Sequence, residues 1–220
     1  MEENRQVVQY TNVAPSMWND KDILAQAYSA SKYLASSDLV PPTYKKPENC
    51  LIALEFANRT GLSPLTVMQN LYVVQGKPSW SGQMCIALIN GSKRFSPLEF
   101  EFDGKPGEDN YGCFAYATRL DNGKVYYSDR VTISMAKKEG WYSKIDKYGK
   151  ETSKWQSMPT QMMMYRAGAF FARVHCPDIL LGLPTTEELY DVENARESAR
   201  KSQPDILVIR LHRESMPQEE

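Results

Sequence analysis

Cations and flat side chains alternate through one stretch of this chain. Between residues 124 and 173 the cations are Lys124, Arg130, Lys137, Lys138, Lys144, Lys147, Lys150, Lys154, Arg166 and Arg173. The rings between them include Tyr126, Tyr127, Trp141, Tyr142, Tyr148 and Trp155. A single nucleic-acid strand asks for both: cations spaced along its phosphates and faces on which bases rest. The competing reading is a solvated lysine loop, with Trp155 pinning it to the core. Arg166 stands apart, because it lies in the apolar run Met162-Met163-Met164-Tyr165-Arg166-Ala167-Gly168-Ala169-Phe170-Phe171. An unpaired charge there would be costly, so it faces either an anionic ligand or an inner Asp or Glu. The three methionines read as core.

Other chemistries find less support. The chain has no Gly-x-x-x-x-Gly-Lys-Ser/Thr and no Gly-x-Gly-x-x-Gly after a strand, so it lacks a phosphate cradle of the nucleotide-hydrolase type. Two histidines, His175 and His212, leave little room for general-base work, and the four scattered cysteines form no metal-ligand spacing. A metal-dependent nuclease would need converging carboxylates. Asp103, Glu108, Asp109, Asp121 and Asp129 could supply them, but most fall in turns, where Asp is favoured for backbone reasons.

The elements that must position these residues follow from period and turn chemistry. Asn19-Asp20 caps a helix over about 21–36, and Val40 to Pro47 breaks it. A second helix over about 48–60 stops at Gly61. Ser63-Pro64 starts a short third helix, and Leu71–Val74 with the Gln75-Gly76-Lys77 turn reads as a hairpin. Ser79 or Ser81 caps an apolar helix containing Met84, Ile86, Leu88 and Ile89. The period then changes to two. Leu98–Phe102, Tyr111–Thr118 and Lys124–Val131 read as three strands, with Asp121-Asn122-Gly123 as a type I′ hairpin signal between the last two. Thr132 or Ser134 starts a helix to about Glu139. A long helix is expected over about 157–175 and another from Thr186 to Pro204, followed by a strand or docking segment at Asp205–Leu211. The fold class is therefore α+β: a three-stranded antiparallel β-β-β-α core with an additional hairpin, flanked by helices.

Net charge is −1, but it is unevenly spread: −2 over residues 1–40, +5 over 41–186 and −4 over 187–220. A basic middle between acidic ends fits a nucleic-acid-binding core with partner-binding tails. No run approaches the length of a membrane span, and the polar start Met1–Gln6 does not read as a secretory signal. With thiols in apolar settings, a reducing cytoplasm is expected.

Two blocks carry a family resemblance. The first is Gly61-Leu62-Ser63-Pro64 followed by Tyr72-Val73-Val74-Gln75-Gly76-Lys77 and the apolar helix. The second is Lys154-Trp155, then Arg166 within its helix, then Pro177-Asp178 and the acidic exit Thr186-Glu187-Glu188. Together they span roughly residues 47–190, and in this order and distance they resemble the RecT family of phage-type single-strand annealing proteins. Two places depart from relatives: Gln161 and Met162 stand where a lysine pair often precedes the helix Arg, and Gln83-Met84 where a Lys often stands.

The resemblance implies a β-β-β-α annealing core and ATP-independent pairing of complementary single strands in homologous recombination. The alternatives are a non-annealing protective coat or the nuclease above. It implies no catalytic residue and no cofactor, with magnesium at most assisting annealing. The DNA-binding set expected from the interleaved cations and rings together with the resemblance is Lys77, Lys124, Tyr126, Arg130, Lys137, Lys138, Trp141, Lys144, Lys147, Lys150, Lys154, Trp155, Gln161, Arg166 and Arg173. The expected partners are single-stranded DNA, the annealed duplex, further copies of the chain in a ring or helical filament, a phage exonuclease and a host single-strand DNA-binding protein. The expected layout is an arm and helix over 1–46, a core over 47–190 and a tail over 191–220.

Overall fold

The computed structural model describes residues 17–202. Local chemistry sets most element ends. The Asp20 carboxylate accepts the amides of Asp22 and Ile23 to open helix α1 (Lys21–Ser36). Helix α2 (Pro47–Thr60) begins on a proline and stops at Gly61, whose φ of 70° is the left-handed end that glycine tolerates. Ser63 caps α3 (Pro64–Asn70), and strands β1 (Leu71–Val74) and β2 (Lys77–Trp80) close a hairpin. Its two turn residues, Gln75 and Gly76, both have positive φ, the geometry that matches strand twist. Ser81 then caps α4 (Gly82–Gly91).

The larger sheet is antiparallel. Its order is β3 (Glu99–Asp103), β4 (Gly112–Thr118) and β5 (Val125–Tyr127), and β6 (Val131–Thr132) also pairs with β4. Thr132 caps α5 (Ile133–Lys138). The α+β core is as expected, with two differences of detail. The stretch expected as one strand over 124–131 is two strands. Ser128 Oγ accepts the Ala115 amide at 2.9 Å, so a side chain replaces the backbone partner and breaks the ladder. The turn at Asn122-Gly123 is not type I′: Gly123 alone has positive φ, and the Asn122 side chain instead accepts the Lys124 amide.

The long helix also divides. A single turn, α6 (Lys154–Ser157), precedes α7 (Pro159–His175), because Met158 lies before a proline and is held out of the helical region. Helix α8 (Thr186–Ser202) follows. Pro204 and the expected segment Asp205–Leu211 lie outside the described residues, as does the arm up to residue 16.

Helix α7 packs on one face of the large sheet. The β4 side chains turned toward it, Cys113, Ala115 and Ala117, are buried, and α7 answers with buried Ala167, Gly168 and Ala172. The same helix packs against α4. A Cβ on Gly168 would stand 2.7 Å from Ile86 Cγ1, and one on Gly82 would stand 3.1 Å from Tyr165 Cβ. At Gly168 a side chain would force Ile86 to move, and at Gly82 Tyr165 would have to give by a few tenths of an ångström. Trp80 then ties the hairpin to the chain before α8: its amide donates to Pro184 O at 3.0 Å and its indole N–H to Leu180 O at 3.1 Å.

Candidate nucleic-acid interface

Residues 140–154 connect α5 to α6, and they are highly ordered by one carboxylate. Glu151 accepts the Ser143 hydroxyl at 2.5 Å, the Lys144 amide at 2.9 Å, the Ser153 amide at 2.7 Å and the Gln156 side chain at 2.9 Å. The Ser143 hydroxyl, with the Lys144 and Ser153 amides after it, holds its pKa down at about 2. The Asp146 carboxylate accepts the amides of Tyr148 and Lys150, and Gly149 turns the chain at a φ of 80°. Ile145 and Glu151 pair across as an antiparallel bridge. The result is a small finger. Its tip exposes Ile145, Lys147, Tyr148 and Lys150, and Tyr148 is 81% exposed with the Lys147 ammonium 4.9 Å from its ring centre.

The base of the finger is a stack. Trp141 and Trp155 lie with ring centres 5.6 Å apart, and the Arg166 guanidinium sits 3.8 Å from the centre of a Trp141 ring. All three residues are buried. Arg166 Nη2 donates to Asp191 of α8 at 2.8 Å, and Lys144 Nζ lies 3.9 Å from the same carboxylate. Of the two readings open for Arg166, the described conformation is the ion pair with an inner acid. Trp141 and Trp155 spend their faces on each other and on Arg166, so neither offers one to a base in this conformation.

The remaining expected site residues divide by place. Lys77 is exposed beside the hairpin turn, Lys138 at the end of α5, and Lys154 at the start of α6. Lys137 bonds Asp109 at 2.5 Å and lies 5.2 Å from the Tyr142 ring centre. Gln161 is exposed and donates to the Tyr165 hydroxyl at 2.6 Å. Arg173, two helical turns beyond Arg166 on α7, donates to Glu188 at 2.6 Å. Lys124 is exposed in the loop after β4. Tyr126 points inward, where its ring meets Phe95 and His175. Arg130 is held by Asp103, donating through Nε at 2.7 Å, and by Asn110 O at 2.6 Å. Thus contacts join Trp141, Lys144, Trp155 and Arg166 around α8, while Tyr126 and Arg130 are engaged elsewhere in the sheet.

Among the described residues, Lys77, Lys124, Lys138, Lys147, Lys150 and Lys154 have no carboxylate partner. Lys150 and Lys154 flank a recess of about 370 Å³, also lined by Thr152, Ser153, Gln156 and Ser157 and by the carboxylates of Asp146 and Glu151. The ammonium groups are donors suited to a phosphate, but the two carboxylates offset them inside the recess, so the lysines serve a strand from its rim.

Four of the five acidic turn residues are spent on cations, and Asp129 has no cation partner among the described residues. Asp103 bonds Arg130, Asp109 bonds Lys137, Asp121 bonds Arg119, and Glu108 lies 3.8 Å from Lys105. Among the described residues no group of three or more His, Cys, Asp or Glu is placed to hold a metal ion.

Sequence reasoning missed two features. One is the role of α8, whose acids pair with α7 and the finger. The sequence showed its charge but not its position. The other is an aromatic cluster on the outer face of the sheet, where the rings of Phe114, Tyr116 and Tyr127 lie within 6.3 Å of one another. Alternation in Phe114-Ala115-Tyr116 was its available signal.

Comparison with known proteins adds one match. A family model described as the RecT family matches residues 25–201, which covers most of the chain. No curated protein and no solved structure matches.

Proposed function

Because the chain belongs to the RecT family of single-strand annealing proteins, we propose that it binds one DNA strand along the finger and the end of α5, and pairs that strand with its complement without ATP. The observation that carries this reading is the finger. Glu151 and the Trp141–Trp155 stack hold a loop that exposes Lys147, Tyr148 and Lys150, with Lys138 and Lys154 at its two ends.

The mechanism is electrostatic alignment. Lysines neutralise phosphates and release counterions, which supplies affinity without reading sequence. Tyr148 offers a face to a base. A strand held by its phosphates keeps its pairing edges free, so selection between strands comes from Watson–Crick pairing and not from the protein. No nucleotide-hydrolase motif is present in the sequence, which supports independence from ATP. Magnesium would assist only by screening two polyanions from each other. Pairing over useful lengths requires several copies along the strand, in the repeated head-to-tail contact that makes a ring or filament. In this layout residues 47–190 form the annealing core, and the segments on either side make contacts between copies. The protein would act in the cytoplasm of a bacterial host, encoded by a phage or prophage. Among the described residues no helix is long and apolar enough to cross a membrane.

The test is annealing of two complementary oligonucleotides carrying an energy-transfer pair, without ATP. Faster pairing with protein than without, lost at high salt, supports the reading. Tight binding without faster pairing would replace it with a protective coat. Cleavage that depends on magnesium would replace it with a nuclease.

A further inference from the structure

Three cations expected on the DNA path share an unexpected arrangement: each is held by a carboxylate of α8. Arg173 donates to Glu188 at 2.6 Å, Arg166 donates to Asp191 at 2.8 Å, and Lys144 approaches Asp191 at 3.9 Å. Glu193, further along the same helix, accepts from Gln75 at the hairpin turn. Arg166 and Arg173 are seven residues apart, so they lie on one face of α7. The α8 acids therefore run along a cationic line that continues into the finger.

The way α8 is attached differs along its length. Its start is fixed. The Thr186 hydroxyl donates to Trp80 O at 3.2 Å, and Thr185 and Glu188 cap each other, Thr185 N donating to Glu188 at 2.8 Å and Glu188 N to the Thr185 hydroxyl at 3.3 Å. Beyond that turn, the apolar side chains Tyr190 and Val192 are 51% and 47% exposed. This part is held by its ion pairs, by the Gln75 side chain on Glu193 and by packing of α8 on the hairpin, with Leu189 half-buried.

We propose that α8 is a displaceable acidic strap: its Glu188 and Asp191 carboxylates occupy phosphate positions beside Arg166, Arg173 and Lys144, and a bound single strand takes those positions as the strap lifts about Thr185-Thr186. The proposal rests on the nucleic-acid reading above and adds its regulation. A guanidinium accepts a phosphate in the same geometry as a carboxylate. Exchange of one anion for the other leaves Arg166 paired throughout, so the penalty for an uncompensated buried charge is not met. The strap raises the threshold for binding. Short or isolated phosphates lose to it, and a strand long enough to engage the finger as well displaces it through linked contacts.

The experiment compares the full chain with the double variant Glu188→Gln, Asp191→Asn, measuring binding of a labelled thymidine oligonucleotide across a salt series. Glutamine at 188 can still cap α8, and asparagine at 191 keeps the shape. The expected result is tighter binding by the variant, about fivefold or more at low salt, the scale of a typical coupling between competing interactions. Equal or weaker binding by the variant would overturn the strap and leave the nucleic-acid reading standing. Absence of binding in both proteins would overturn both.

Amide hydrogen exchange on the unmodified protein is a second measurement that needs no variant. Residues 188–193 should exchange faster when the oligonucleotide is bound, and unchanged or slower exchange there overturns the strap.

Discussion

The finger and the α7 face carry the same chemistry in opposite states. On the finger, Lys147 and Lys150 stand in solvent with no carboxylate partner among the described residues. On α7, Arg166 is 6% exposed and clamped between an acid and an indole ring. Interleaved cations and aromatics in a sequence therefore describe two things at once: charges available to a ligand, and charges committed to the fold. A lysine on a turn is cheap to leave exposed, whereas an arginine in an apolar helix must be matched wherever the fold puts it. The finger therefore offers a strand its first contacts, while the α7 cations order the fold for as long as the α8 acids hold them.

The largest effect should fall on the committed side. Arg166→Ala leaves Asp191 without its closest cation and removes a face from Trp141, and we expect a loss of about 3–5 kcal/mol of folding stability. Denaturant titration measures it. A loss below about 1 kcal/mol, the range of an exposed pair, would move Arg166 to the other side of the comparison.

Next comes the free side. Reversal of Lys147, Lys150 and Lys154 to Glu should lower single-strand affinity by tenfold or more and flatten the plot of log affinity against log salt by about 2, as expected for three phosphate contacts on a single strand. The melting temperature should barely change. Binding isotherms at several salt concentrations check the first expectation and thermal melts the second; an unchanged slope would take these lysines off the strand. Tyr148→Ala should be milder, costing about 1 kcal/mol of binding, the lower end of what a base resting on a ring contributes. Quenching of tyrosine fluorescence by bound strand should vanish in part with it.

The smallest effect sharpens why the finger is ordered at all. Glu151 has its pKa lowered to about 2 by its donors, against about 4.3 for a free glutamate. A carboxylate with a depressed folded pKa contributes stability above its unfolded value, and that contribution is lost as pH falls through the folded one. The finger should therefore loosen between about pH 4 and about pH 2, ahead of the sheet. Amide exchange of Lys144 and Ser153 against pH would show this, and Glu151→Gln should shift the onset.

What the sequence made legible was local. Asp20, Ser63, Ser81 and Thr132 each satisfy amides within three residues of themselves, and a cap of that kind can be read from residue order alone. The strand periods of β3 and β4 were equally plain. The break between β5 and β6 was not, because it depends on the Ser128 hydroxyl reaching Ala115 across the sheet. In the site, the cations could be named but not sorted. Whether Trp141 shows a face to solvent is decided by Trp155 and Arg166, and the acid that neutralises Arg166 lies 25 residues further on. Spacing along a chain carries no information about such pairings. Gly168 is the same case in the core. Nothing in its neighbours predicts that Ile86 presses against it, and Gly168→Ala should cost about 1–3 kcal/mol through that clash.

The bond from the Trp80 indole to Leu180 spans 100 residues, and its consequence concerns the order of assembly. Hairpin, α4 and sheet are complete in sequence well before the segment that closes over Trp80 exists. A chain leaving the ribosome holds this tryptophan only partly covered, by Phe56, until nearly all of the described protein has been made. Contacts so distant in sequence slow folding, and a partly exposed tryptophan beside an open hairpin edge is a sticky intermediate. Nascent chains halted just before residue 180 should therefore be the most dependent on chaperones.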